Sequence, residues 1–205
     1  LREVAPPYAG EGPHALWHVS EDDSIERFEP HHRPGHALDE PLVWAVDTRH
    51  LPLYWFPRDC PRVAFWARQG HGDRLEPFAN RARPDERREP VPVSISTDGD
   101  VERFLGGDRT RRVHVVEPEW LESMRTTRVV AYRLPAATFE PWDRFWISHE
   151  AVEPLDLVEL GDLVARHRTA EIELRVDDAL LVLWEAVVGS TLDYSGIRLR
   201  NAVRP

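Results

Sequence analysis

The sequence predicts an α+β domain of curved mixed and antiparallel sheets with short helices, and three observations carry that expectation. Strand-length apolar runs such as "PLVWAVD" and "RRVHVVE" recur along the chain, bounded by proline, glycine and charge. The helical stretches between them are short and unevenly placed, unlike the regular alternation of a wound parallel sheet. With 205 residues and 41% hydrophobic content, the chain can bury one sizeable core, so residues 1–205 are expected to form a single domain.

The elements follow in order. "ALWHVS" alternates Leu16, His18 and Ser20 against Trp17 and Val19, which is the period of a strand. "DDSIERFEP" predicts a helical turn stopped by Pro30, and "HHRPGHALDEP" predicts a loop. "PLVWAVD" is a second strand. "TRHLPLYWF" predicts a short helix with Thr48 as its N-cap, and "PRDCPRVAFWA" a turn leading into a third strand. Residues 68–99 are rich in Pro, Gly and charge with little periodicity, which predicts a flexible insertion. Beyond it, "DVERFLGG" predicts a helix ended by glycines, "RRVHVVE" a strand, "PEWLESMRT" a helix with Pro118 in its first turn, and "RVVAYRLP" a strand. "RFWISHEAVEPLDLVEL" predicts strands broken by Pro154. "GDLVARHRTA", "EIELRV", "DALLVLWEAVVGSTL" and "SGIRLRNA" then alternate helix and strand.

Composition narrows the function. A formal net charge of −10 argues against nucleic acid, whose phosphates reward clustered cations. All 26 basic residues are arginines, each a planar fork suited to carboxylate or phosphate. No window approaches the roughly 18 apolar residues of a membrane span, and no basic-then-apolar leader opens the chain. A soluble, cytoplasmic protein without membrane association is expected. Cys60 is the single cysteine, so it can form neither an internal disulfide nor a zinc–thiolate cluster.

Several side chains are candidates for a binding site. His18 and Ser20 share a strand face and together offer the donors and acceptors that hold vicinal ribose hydroxyls; the same pair could satisfy a backbone edge. Trp44 lies mid-strand, and the helix after it would set His50 and Tyr54 four apart on one side, a wall for a planar heterocycle; packing in the core is the alternative for Trp44. Arg58 in "PRDCPR" suits an anionic ligand. Cys60 has arginine and aspartate neighbours with opposed effects on its thiol, which leaves its reactivity open and a thiol-dependent hydrolase as one alternative. Glu140, Asp143 and Glu150 cluster in "TFEPWDRFWISHEAVEP", where a carboxylate can stabilise an oxocarbenium-like centre. The spacing of His31, His32 and His36 matches no metal-binding pattern, so no metal is expected.

Two resemblances add to this. "LWHVSEDDSIERFEP", "PLVWAVDTRHLPLYWFPRDCPRV", "RRVHVVEPEWLESMRTTRVVAYRLP" and "SGIRLRNA" together resemble a bacterial domain family of unknown function over most of the chain. "HVS", "VWAVDTRHLPLYWF" and either "YRLPAATFEPWD" or "WISHEAVEP" are similar to the three elements of His-Tyr-acid ADP-ribosyltransferases, such as the rifamycin-modifying enzymes. That resemblance implies an ADP-ribosyltransferase-like fold that takes NAD as substrate and cleaves its nicotinamide–ribose bond, with transfer of ADP-ribose to an acceptor the sequence does not identify. It implies that His18 and Ser20 contact the ribose, and that Trp44 stands where the family has Tyr, keeping a ring for stacking without the phenol. One of Glu140, Asp143 and Glu150 would be the closing acid. A noncatalytic module binding a nucleotide or another small ligand is the second class of function.

Overall fold

The structure is a computed structural model that describes residues 15–32, 40–68, 95–142 and 145–204. Most of the expected insertion at 68–99 therefore lies outside the described residues, as do His36 and Asp143. The elements run β1 (Leu16–Ser20), β2 (Val43–Asp47), a 3-10 helix (Leu51–Tyr54), β3 (Arg62–Trp66), α1 (Asp98–Leu105), β4 (Arg112–Val116), α2 (Trp120–Thr126), β5 (Val130–Leu134), a 3-10 turn (Ala136–Thr138), β6 (Glu140–Trp142), β7 (Phe145–Ser148), β8 (Asp156–Glu159), α3 (Leu163–Thr169), β9 (Glu173–Val176), α4 (Leu180–Val188), β10 (Asp193–Ile197) and a closing 3-10 turn (Leu199–Asn201). This is the α+β class that the sequence predicts.

Two sheets result. A six-stranded sheet has the order β6-β7-β2-β1-β5-β8 with every pairing antiparallel, and a four-stranded sheet has the order β10-β3-β4-β9 with β4 and β9 parallel. Strand alternation decides what faces what. Trp17, Val46 and Ala131 of the larger sheet join Val116 of the smaller one, Trp55 and Phe56 of the connecting segment, Met124 of α2 and Leu163 of α3 in one buried cluster. Their neighbours Leu16, Val43, Ala45, Val130 and Tyr132 face the other way and are covered by Phe28, Phe139 and Val152. On the smaller sheet, Val63, Phe65, Val113 and Val115 face α1 and α4 through Val101, Phe104, Leu180 and Val187. The architecture is thus layered, with α1 and α4 outside the smaller sheet and a shared core between the two sheets.

Local signals explain the helix ends. The Thr97 hydroxyl accepts from the Asp100 N–H at the start of α1, a cap that stabilises by about 1 kcal/mol. Gly106 ends the helix at φ 60°, a left-handed conformation that glycine adopts without steric cost. Asp162 caps α3 by accepting from the Val164 and Ala165 N–H groups.

Four expectations need correction. Helix α1 begins at Asp98, inside the stretch read as an insertion, and Pro118 precedes Glu119, the N-cap of α2, rather than lying in its first turn. "DDSIERFEP" forms no helical turn: the Asp22 carboxylate accepts from the backbone N–H and hydroxyl of Ser24, and the Tyr132 hydroxyl donates to the Asp22 carbonyl while accepting from the Ile25 N–H. Those side-chain bonds replace the helical ladder. Thr48 is not an N-cap, because its hydroxyl accepts from the Trp17 indole N–H at 3.1 Å; the helix begins later and is 3-10. Strand β6, a short edge partner of β7, has no counterpart in the sequence reading.

Candidate functional site

The outer face of the larger sheet carries the candidate site. In β1, His18 lies on the face of Leu16, directly opposite Tyr132 of β5. Its ring packs on Phe28, with centroids 4.7 Å apart. The β1–β2 ladder pairs Leu16 with Asp47 and Trp17 with Val46. One step further along this register His18 would meet Ala45, and there its Nδ1 reaches the Trp44 carbonyl at 2.9 Å. A carbonyl only accepts, so Nδ1 carries the proton and the ring is held in one tautomer. On the far side of Ala45 lies Trp146 of β7, its direct partner, half-buried on the same face. His18, Ala45 and Trp146 therefore form a row: an imidazole and an indole separated by the smallest side chain with a Cβ.

Glu150 follows at the end of the strand that carries Trp146. The Ser148 hydroxyl accepts from the Glu150 N–H and donates to the Glu150 carbonyl, both at 3.2 Å. Two residues on, Val152 exchanges backbone hydrogen bonds with Phe28, the ring partner of His18. Glu150 is exposed.

Other predicted residues separate from this row. Ser20 lies on the His18 face at the end of β1, with its hydroxyl accepting from the Asp22 N–H at 3.0 Å. Trp44 is on the opposite face, buried against Leu42 and Ile147 and met edge-on by Trp142 and Phe145. Glu140 also occupies that opposite face, paired across β6–β7 with Ile147, and its carboxylate lies 3.6 Å from His149 Nε2. His50 is buried between the sheets and donates from Nδ1 to Asp47 Oδ1 at 2.7 Å. Because the helix after it is 3-10, the Leu53 N–H bonds back to the His50 carbonyl, and Tyr54 does not share its side. Tyr54 instead lies beneath the Arg62 guanidinium. Arg58 comes back towards β1: its N–H donates to the Glu21 carboxylate at 2.7 Å, one residue beyond Ser20. Cys60 is 0% exposed, and burial pushes its thiol up to about 12. The thiolate a nucleophile needs is therefore scarce at neutral pH.

A second polar constellation, which the sequence reading missed, fills the space between the sheets. Arg62, Arg112, His114 and Ser195 all project from the core face of the smaller sheet and are buried. Arg62 donates to the carbonyls of Leu53 and Cys60 and packs on Phe56, while burial draws its guanidinium down to about 10, still charged at neutral pH. Arg112 donates to the Arg49 carbonyl and lies over Trp66. His167 of α3 donates from Nδ1 to the Leu163 carbonyl, so its Nε2 accepts from His114 Nδ1 at 3.0 Å. That sequence leaves His114 Nε2 a bare acceptor, buried and without a hydrogen-bond partner among the described residues. Burial holds both rings below the usual histidine range, His167 at about 4, with Arg112 adding to the effect at each. A signal was present: in "VHVV" a histidine interrupts an apolar strand at the position its neighbours assign to the core. Among the described residues, no three His, Cys, Asp or Glu side chains converge as a metal site requires.

The profile of a family described as "Family of unknown function (DUF6886)" matches residues 17–82 and 90–202 of this chain. No curated protein and no solved structure matches it. Among the described residues, no helix is long and apolar enough to cross a membrane.

Proposed function

The chain belongs to the family of unknown function DUF6886, and from that premise we propose that it is an ADP-ribosyltransferase-like protein that takes NAD as substrate across the outer face of the larger sheet. The observation that supports this best is the row of His18, Ala45 and Trp146, with Glu150 at the end of the same strand as Trp146. Ala45 is buried beneath Phe28, Phe139 and Val152, so a flat ring would lie over the half-buried imidazole and indole on either side of it, and the Trp44 carbonyl orients that imidazole. Trp146, rather than Trp44, then supplies the aromatic wall. His18 and Ser20 contact the ribose. Glu150 is the acid that stabilises the positive charge developing on the ribose as nicotinamide leaves with the electrons of its bond. An acceptor then forms a bond to that ribose carbon and loses its proton. Holding the reactants together supplies much of the rate.

The test combines calorimetry with NAD and mass-spectrometric detection of nicotinamide release. Glu150→Gln is expected to bind NAD with near-normal affinity while turnover falls on the order of a hundredfold or more, since the charge it answers appears only in the transition state. Trp146→Ala is expected to weaken binding, and Glu140→Gln, on the other face, to change neither. Binding without nicotinamide release would leave the noncatalytic nucleotide module as the better account. Failure of the wild-type protein to bind NAD would remove the proposal.

A further inference from the structure

Beyond the nucleotide reading, and independently of it, we propose that a groove beside β8 docks an extended peptide in which arginines alternate with apolar residues. The Tyr132 hydroxyl holds the segment after β1 over the outer face by bonding the Asp22 carbonyl and the Ile25 N–H. Between that segment and the approach to β8 lies a groove of about 390 Å³ whose walls include Asp23, Glu26, Tyr132, Leu155, Asp156 and Leu157. Three acidic residues and, among the described residues, no basic one line it; Asp156 also accepts from the Leu157 N–H. The apolar part is unusually open for leucine: Leu155 is 54% exposed and Leu157 36%.

The shape of the occupant follows from the strand beside it. β8 is the last strand in the order of its sheet, and among the described residues no strand pairs with its outer edge. A peptide laid along it gains main-chain hydrogen bonds from that edge, save at the Leu157 N–H, which donates to the Asp156 carboxylate, and its side chains then alternate between the face of Leu157, which suits the apolar residues, and the face of Asp156, which suits the arginines. Charge selects the sequence. Carboxylates flanking exposed leucines match a cationic head on an apolar stem, which is the anatomy of arginine. The Asp23 carboxylate already accepts from Arg128, which also reaches Glu159, so arginine is the partner this rim engages within the chain itself. The chain's formal charge of −10 attracts such a peptide from a distance.

Fluorescence anisotropy on the whole protein tests the groove without any nucleotide. The probes are fluorescein-labelled hexapeptides alternating Arg with Leu, Glu with Leu, and Arg with Gly. The Arg/Leu peptide is expected to bind with an affinity that falls as salt rises, the Arg/Gly peptide more weakly, and the Glu/Leu peptide not measurably. The double variant Leu155→Ser/Glu26→Gln changes two exposed side chains and is expected to lose at least about tenfold in affinity. Circular dichroism of the same sample checks that it remains folded, and the single variant Glu26→Gln supplies an intermediate value if it does not. Equal binding of the Arg/Leu and Glu/Leu peptides, or unchanged affinity in the variants, overturns the proposal. Because His18→Ala should leave peptide binding intact, failure of the NAD reading and failure of the groove are separable.

Discussion

Replacing Cys60 by alanine is expected to leave any activity intact and to cost stability on the order of 1 kcal/mol, because the sulfur is sealed in the core and its thiol donates to the Pro61 carbonyl. The wild-type thiol should react with a disulfide reagent at pH 8 only after urea unfolds the chain. Rapid labelling of the folded protein would instead return the thiol to candidacy as a nucleophile. At this scale the sequence was a partial guide. Alternation correctly put His18 and Ser20 on one face, since period two is local geometry. It put the aromatic wall on Trp44, because β2 is apolar at both faces and nothing in "VWAVD" marks which side faces the other sheet. In the fold Trp44 shares the inward face with Phe145 of β7, while Trp146 turns out with Ala45. Of the three acids, Glu140 falls on the Trp44 face, Glu150 lies two residues beyond the strand that carries Trp146, and Asp143 lies outside the described residues.

Among the elements, α3 and β4 are joined by the most unusual contact, the hydrogen bond from His114 to His167. Protonating either ring puts a charge into a layer that already holds Arg62 and Arg112, with Arg166 near His167, which is why burial and these cations keep both rings neutral. The unfolded chain binds those protons near pH 6.5, whereas folded His167 binds its own only at about 4. Folding therefore releases protons, and stability is complete above the unfolded value and drains away as pH falls from about 6.5 towards about 4. Urea midpoints measured across that range should decline in the wild-type protein and decline less steeply in His167→Gln, which cannot titrate. Parallel profiles would show that the pair is not the source. The end of α1 was readable, since Gly106 acts on its own neighbours, whereas its start at Asp98 and its cap Thr97 fell inside the stretch read as an insertion. Boundaries were also misread where a distant group intervenes. Trp17 draws off the Thr48 hydroxyl and Tyr132 captures the Asp22–Ile25 segment, and both partners come from other strands.

The chain as a whole interleaves its two sheets. It lays β1 and β2 into the larger sheet, β3 and β4 into the smaller, β5 to β8 back into the larger, and β9 and β10 into the smaller. Composition and element pattern were enough to foresee mixed and antiparallel sheets, but strand order depends on pairings between distant segments, and no local periodicity encodes those. Interleaving has a thermodynamic consequence. Neither sheet comes from one continuous stretch, and the buried cluster between them takes Trp17 and Ala131 from one sheet and Val116 and Leu174 from the other. Removing either sheet would expose the apolar face of the other, at about 25 cal/mol for each Å² of apolar surface returned to water. Partial unfolding that spares one sheet is then too costly to be populated. Urea unfolding followed by tryptophan fluorescence, which reports eight tryptophans with Trp17 and Trp55 of the shared core among them, should superimpose on unfolding followed by far-ultraviolet circular dichroism, which reports both sheets and the helices. If the fluorescence transition were to precede the dichroism transition, the shared core would be opening while the sheets persist, and the two sheets would be separate cooperative units despite the path of the chain.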